Sequence, residues 1–97
     1  MDEIAKRIKN FLQYLVVHFI EDKEAACLKL SKSEEQSTLS FRIILSERDV
    51  AKLIGKNGFT ASAIRSVIKA AGEKEGVNVI LRINSTAEEE ARLASAG

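Results

Sequence analysis

Two segments in which apolar and polar residues alternate, with a helical connection between them, constrain the fold of this chain most strongly. The alternation over residues 39–45 and 77–83 is typical of strands that bury one face in a core. Because the connection contains helices, the two strands are predicted to pair in parallel, with a right-handed crossover. The apolar positions of the alternation are Leu39, Phe41, Ile43, Leu45, Val77, Val79, Leu81 and Ile83.

The connection is predicted to hold two helices separated by a glycine turn. Ser46, with an acidic residue three positions later, resembles the start of a capping box, which places the first helix at residues 47–54. Gly55 ends it. The second helix is predicted to start after Gly58 and to end at Gly76, which suits the left-handed cap conformation. The residues that this helix is expected to bury are Ile64, Val67 and Ile68.

The residues before these strands are predicted to add one helix and one strand. Apolar residues recur every three or four positions over residues 2–21, the period of one helix face. Core packing is the favoured role of this stripe, although apolar residues at 16–20 widen it and leave a partner-binding surface open. Alternation over 26–30 and a polar turn over 31–37 predict a strand antiparallel to the next one. The stripe consists of Ile4, Ile8, Phe11, Leu12, Leu15 and Phe19.

The order helix, strand, strand, helix, helix, strand predicts an α+β fold, a two-layer sandwich with three helices on one face of a three-stranded mixed sheet. At 97 residues, with 45% apolar and 30% charged residues, the chain has the size and composition of one globular domain. We assign that domain to residues 1–84. Residues 85–97 form an acidic, alanine-rich tail in which Ser85 and Thr86 are placed to cap a short helix.

Cysteine, histidine and hydropathy patterns exclude several classes of protein. Cys27 is the single cysteine and has no disulfide partner within the chain, and no cysteine or histidine pair has the spacing of metal ligands. The acidic N-terminus argues against a signal peptide, and His18, which breaks the longest apolar stretch, argues against a membrane span. We expect a cytoplasmic protein that has no metal or cofactor and does not insert into membranes.

The sequence also lacks the side-chain sets of an enzyme. His18 is the sole histidine and lies on the margin of the first predicted helix, with no assignable partner for acid–base chemistry. The stretch from Gly55 to Gly58 is not a nucleotide phosphate loop, because that motif needs Gly-x-x-x-x-Gly-Lys-Ser/Thr after a strand. We therefore expect no catalysis.

The turn Gly55-Lys56-Asn57-Gly58 is the candidate binding element. Glycine permits positive φ and, having no Cβ, lets another backbone approach closely. A phosphate at this turn would meet N–H groups at the start of the second helix, whose dipole favours an anion. Positive charge is concentrated here. Residues 42–69 contain six basic and two acidic residues, net +4, whereas the rest of the chain contains nine basic and twelve acidic residues, net −3.

Two glycines three residues apart are a weak signal alone, because many helix turns use glycine as a cap. Their place in a strand, helix, turn, helix, strand unit resembles a KH domain, and the helix and strand before this unit correspond to the type II arrangement. The apolar walls of the unit are Val50, Leu53, Ile54 and Ile64. Residues 2–84 are also similar to the small bacterial single-KH RNA-binding proteins of the KhpA (YlqC) family. The specific stretches are 49–58 (DVAKLIGKNG), 63–65 (AIR) and 69–71 (KAA).

The resemblance implies that the turn clamps the backbone of about four unpaired nucleotides while the bases lie along an apolar groove. Two positions depart from the family: Phe59 stands where a basic residue is usual, and Ala61-Ser62 where an isoleucine-lysine pair is usual. Base stacking and burial in a protein interface both fit Phe59. The predicted nucleic-acid-binding residues are Lys52, Ile54, Gly55, Lys56, Asn57, Gly58, Phe59, Ser62 and Arg65.

Two functions fit this interpretation. The first is binding of single-stranded RNA, in post-transcriptional regulation or RNA chaperoning. One KH module touches few nucleotides, so pairing of two copies would raise avidity, and the resemblance implies both a homodimer and a larger KH-containing partner. The second is a protein-association module with weak or no RNA binding. Apolar Ile44 and Ile80 on the outer sheet face, together with Phe59, would favour it.

Overall fold

The computed structural model describes residues 1–96, and its elements follow the predicted order and end with a helix in the tail, where the sequence predicts a short one. A single turn of 3-10 helix, Lys56–Gly58, joins the two helices of the crossover. The elements are α1 (Asp2–Phe19), β1 (Cys27–Ser33), β2 (Thr38–Leu45), α2 (Glu47–Ile54), α3 (Phe59–Lys74), β3 (Asn78–Ser85) and α4 (Thr86–Ala96).

The three strands form one mixed sheet in the order β1-β2-β3, which confirms the predicted topology. β2 is the central strand. It pairs with β1 in antiparallel fashion and with β3 in parallel, so that Phe41 lies opposite both Leu30 and Leu81. β1 and β3 are consequently the two edges of the sheet.

Helices α1, α2 and α3 cover one face of this sheet, as the sequence predicts. The inward side chains of β2, among them Leu39 and Phe41, are almost fully buried against Leu12 of α1 and Leu53 of α2. Removal of one such aliphatic or aromatic side chain from water stabilises the fold by about 1.5–3 kcal/mol. The other buried members of this core are Ile4, Ala5, Ile8, Ile20, Ile43, Leu45, Ile64, Ile68, Val77, Val79 and Leu81.

Three apolar residues that we expected in the core lie at its margin instead. Val67 of α3 is 53% exposed, and Phe11 and Phe19 of α1 are about one-third exposed. A helix completes a turn in 3.6 residues, so the buried side of α1 follows a spacing of four through Ile4, Ile8 and Leu12. Phe11 and Val67 each follow a buried residue at spacing three and rotate away from that side, whereas Phe19 is the last residue of α1.

Strand β1 is longer than the side-chain pattern indicates. It runs through Ser33, inside the stretch predicted as a turn, because its backbone continues to pair with β2 as far as the Ser33–Thr38 pair. Ladder hydrogen bonds use main-chain groups, so polar side chains do not end a strand. The turn is confined to the residues after Ser33 and includes Ser37 at φ 48°.

Helix α4 lies on the opposite face of the sheet from the other three helices. Ser85 begins it with a capping box, in which Ser85 Oγ accepts from the Glu88 N–H at 3.1 Å and Glu88 Oε1 accepts from the Ser85 N–H at 2.9 Å. The helix packs on β2 and β3, and Ile44 on that face is only 5% exposed. The tail is therefore a regular helix, and Ile44 is not the exposed apolar residue that we expected.

Gly72 lets α3 approach β3 closely. Helix α3 continues through this glycine to Lys74. A Cβ at position 72 would lie 2.4 Å from Val79 Cγ2 and 2.7 Å from the Val77 carbonyl oxygen. Only glycine fits between the helix and the strand at this point, and the contact sets the position of α3 over β3.

Candidate nucleic-acid interface

Helix α2 is held in place from its first turn. Ser46 Oγ accepts from the Asp49 N–H at 3.3 Å, as the predicted cap requires. The Asp49 carboxylate does not complete the capping box. It is fully buried and accepts from the N–H groups of Glu21 and Asp22 at 3.0 and 2.9 Å. These bonds, led by the one from Asp22, hold the pKa of Asp49 below its ordinary value and tie α2 to the segment that follows α1.

The Gly-x-x-Gly loop, residues 55–58, has a backbone that few residues can adopt. Gly55 lies at φ 76°, ψ 179°, a conformation essentially limited to glycine. A Cβ there would stand 2.4 Å from Thr60 Oγ1. Asn57 at φ 56° and Gly58 at φ 76° are left-handed, and asparagine tolerates that region better than most residues. Three of the four loop residues are thus of the types that adopt the required positive φ most readily.

The loop feeds directly into the N-terminus of α3. Gly58 N–H donates to the Gly55 carbonyl at 3.2 Å, which closes the turn. Within residues 1–96 no side chain caps the start of α3. Backbone N–H groups in the first turn of a helix lack intrahelical acceptors, and the helix dipole favours an anion beside them. The end of the loop therefore has the chemistry of a phosphate site.

The side chains around the loop are exposed and suited to an extended polyanion. Lys56 and Asn57 are open to solvent, and Lys56 forms no ion pair with any carboxylate in the part of the chain that the structure describes. Ile54 just before the loop is 36% exposed, and Phe59 just after it is 73% exposed. Charged, amide and apolar groups thus meet at one end of the α2–α3 unit.

Ser62 and Arg65 continue this surface along α3. They follow Phe59 at intervals of three residues, so each lies next to the one before it, and the row turns about 120° around α3 from Phe59 to Arg65. Arg65 Nε donates to the Leu81 carbonyl at 3.3 Å, on the edge strand β3. One border of the candidate site is therefore α3 with the loop, and the other is the edge of β3.

Lys52 does not join the other predicted residues. Its ammonium group pairs with Glu21, which also lies 3.6 Å from Arg48, and the bond from Lys52 is the main cause that lowers the pKa of Glu21. Lys52 and Ile54 are two residues apart, so their side chains leave α2 about 200° apart. The structure gives Lys52 a partner on the α1 side of the helix.

The predicted residue set omits three contributors near the site. Thr60 packs against Gly55 and makes glycine obligatory there. Arg82 and Arg92 line a depression beside the β3 edge together with Arg65. The alternation of β3 was enough to place Arg82 on the outer face, but the position of Arg92 depends on how α4 docks. That docking leaves no periodic signal in the sequence.

The single histidine and the single cysteine lie on the surface of the protein. His18 is exposed, and its Nδ1 donates to the Tyr14 carbonyl at 2.7 Å, in keeping with a helix-surface role. Cys27 is an exposed free thiol. Across residues 1–96 we find neither a cluster of three potential metal ligands nor a helix that is long and apolar enough to cross a membrane.

Comparison with known proteins gives a consistent family. Residues 9–83 match the family described as KhpA/KhpB, KH domain. The RNA-binding protein KhpA of Chlamydia trachomatis is 30% identical over 76 residues, which cover 78% of this chain and 95% of that protein. The protein of the same name from Clostridium perfringens is 32% identical, with 78% and 99% covered. The one from Aquifex aeolicus is 25% identical, with 78% and 94% covered.

Proposed function

The chain belongs to the KhpA/KhpB family of KH domains, and on that premise we propose that it binds short single-stranded RNA segments through the Gly-x-x-Gly loop. The named relatives are RNA-binding proteins of bacteria. We propose the same class of ligand for this chain, bound in the cytoplasm and without catalysis, in post-transcriptional regulation or RNA chaperoning.

The conformation of the Gly-x-x-Gly loop carries this proposal. Three residues at positive φ turn the backbone sharply and present the uncapped start of α3 beside the exposed side chain of Lys56. Phosphate oxygens accept from such N–H groups without regard to base identity. The loop therefore holds the sugar-phosphate backbone, and neighbouring side chains contact the bases.

Apolar and aromatic groups beside the loop supply the base contacts. The exposed ring of Phe59 is large enough to stack on an unpaired base, which is worth about 1–3 kcal/mol per base. Ile54 lies on the other side of the loop and offers an apolar wall. Edge strand β3 has main-chain groups along its free side, and apart from the Leu81 carbonyl, which accepts from Arg65, these are available to the polar edges of bases.

Association with a second KH domain would strengthen this weak single-site binding. A module that holds about four nucleotides gains avidity when a second copy engages the same RNA. We therefore propose a homodimer and a larger KH-containing partner as physiological forms. Exposed apolar side chains on α1 and α3 are available for this association. They are Phe11, Tyr14, Val17, Phe59 and Val67.

The same exposed side chains favour a second candidate function, a protein-association module that binds little RNA. Burial of Ile44 beneath α4 removes one of its supports, because that residue is not open to a partner. The two candidates differ in what they predict inside cells. RNA recovery through the loop is expected for the first and is absent for the second.

Ultraviolet crosslinking in cells, followed by sequencing of the bound RNA, tests the proposal. We expect the wild-type protein to crosslink to RNA, and the variant Lys56→Asp/Asn57→Asp to lose most of that signal. Aspartate tolerates the left-handed region at position 57, so the loop is retained while its charge is reversed.

The chain offers a chemically identical control at Lys9-Asn10 on α1, where both side chains are exposed. Lys9→Asp/Asn10→Asp makes the same charge change far along the sequence from the loop and should crosslink like the wild type. Equal loss in both variants would show a general charge effect. No RNA above background with the wild-type protein would favour the association module.

A further inference from the structure

The outer face of the sheet carries a row of cations that packing does not explain. Lys29, Arg42 and Arg82 lie side by side on β1, β2 and β3, because Lys29 pairs with Arg42 and Arg42 pairs with Arg82 in strand register. Like charges that lie directly opposite one another destabilise a sheet. The row therefore lowers the stability of the fold unless other groups offset it.

One carboxylate of α4 offsets part of this repulsion. The Glu89 side chain is 8% exposed, and its Oε1 lies 3.4 Å from Lys29 Nζ, 3.8 Å from Arg42 Nη1 and 2.7 Å from Arg92 Nη2. The bond from Arg92 is the main cause that holds the pKa of Glu89 below its ordinary value, so this group is ionised at neutral pH. The single negative charge of Glu89 thus forms ion pairs with three cations, and the face keeps a net positive charge.

Arg82 has no such compensation. Its side chain is exposed, and it pairs with none of the carboxylates in residues 1–96. Together with Arg42 and Arg92 it lines a shallow depression beside the β3 edge, and Arg65 reaches the same depression from α3. Four arginines against Glu89 give a local net charge of +3.

The depression adjoins the candidate RNA site. Arg65 belongs to both surfaces, since it ends the row of neighbours Phe59, Ser62 and Arg65 that begins at the loop and also lines the depression. From Phe59 to Arg65 the helix advances six residues, or about 9 Å. A strand held at the loop therefore has a short, continuous path to the outer face of the sheet.

We propose that this depression, the arginine surface (Arg42, Arg65, Arg82 and Arg92), binds the sugar-phosphate backbone of the RNA segment adjoining the one at the Gly-x-x-Gly loop. Guanidinium groups bond phosphate oxygens through paired N–H donors and also stack on unpaired bases. Ile80, 38% exposed at the same depression, adds an apolar contact.

Helix α4 is needed for this surface. Arg92 lies outside residues 9–83, the part of the chain that matches the family, and Glu89 of the same helix orients Arg42 and Arg92. The inference rests on the proposed RNA-binding function and extends it, because it makes affinity depend on RNA length beyond the four nucleotides of one KH groove.

Binding of labelled oligouridylates of four and eight nucleotides to the full chain, measured by fluorescence anisotropy over a salt series, tests the arginine surface. Arg82→Gln removes a charge that has no ion-pair partner and should leave the fold intact. We expect it to weaken binding of the eight-nucleotide RNA by roughly fivefold or more and to reduce the salt slope by about 0.7. Binding of the four-nucleotide RNA should stay unchanged.

Arg7→Gln on α1 is the matched control and should affect neither RNA. Arg92→Gln should behave like Arg82→Gln, with helix content checked by circular dichroism. If the wild type binds both RNAs and Arg82→Gln binds the longer one equally well, the arginine surface is excluded, and an acidic protein becomes the better partner for it. If the wild type binds neither RNA, the proposed function fails and this inference fails with it.

Discussion

At the scale of single residues, the two glycines of the Gly-x-x-Gly loop have different roles. Gly55 has both a glycine-only backbone conformation and a side-chain neighbour, Thr60, that leaves no room for a Cβ. Gly58 is left-handed, but a Cβ there would meet nothing within 4 Å. The first glycine is needed for the fold of the loop, and the second leaves space for a ligand.

Alanine substitution distinguishes these roles. We expect Gly55→Ala to lower the free energy of unfolding by at least about 1–3 kcal/mol, because backbone strain adds to the clash with Thr60. Gly58→Ala should cost about 1–2 kcal/mol, from the left-handed backbone alone. Urea unfolding of both variants measures the difference. A Gly58→Ala variant less stable than Gly55→Ala would contradict this account of the loop.

At the scale of elements, the position of α2 depends on the Asp49 carboxylate, which binds main-chain groups far away in the sequence. Asp49 joins the start of α2 to the segment after α1 through two main-chain N–H groups, 27 and 28 residues away. We read this residue from the sequence only as the acidic member of a capping box. Its actual partners come from the way α1 and α2 pack, which no local pattern encodes.

The lowered pKa of Asp49 predicts how stability depends on pH. The unfolded chain, in which the pKa is ordinary, takes up a proton before the folded chain does, so the contribution is complete near neutrality and is lost as the pH falls below about 4. Asp49→Asn should lower the urea midpoint at pH 7 and flatten the decline toward pH 3. Glu47→Gln, an exposed change on the same helix, is the control. A decline in Asp49→Asn as steep as that of the wild type would exclude this role.

At the scale of the whole molecule, the strand alternation and the helical connection were enough to predict the three-stranded mixed sheet, and the stretches 49–58, 63–65 and 69–71 were enough to predict the family. Side chains that alternate over 39–45 and 77–83 report burial directly, and pairing followed from the length of the connections. The predicted interface residues remain a prediction, although residues 54–59 are contiguous around one loop and Arg65 reaches the β3 edge.

Features that depend on tertiary docking could not be predicted in this way. Lys52 is a plausible phosphate ligand from charge alone, but Glu21 lies beside it once α1 and α2 pack. Helix α4 is short and weakly apolar, and its place on the outer sheet face depends on Glu89 meeting Lys29 and Arg42. Both outcomes result from pairs of charges that are 31 or more residues apart.

The central claim is that the Gly-x-x-Gly loop holds RNA phosphates, and the affinity of the purified protein for unstructured single-stranded RNA tests it most directly. Wild type, Lys56→Asp/Asn57→Asp and Lys9→Asp/Asn10→Asp are compared from low to physiological salt, with folding checked by circular dichroism. We predict that the wild type and the α1 variant bind with an affinity that falls steeply as salt rises, and that the folded loop variant does not bind. Unaltered affinity in the folded loop variant would contradict the account.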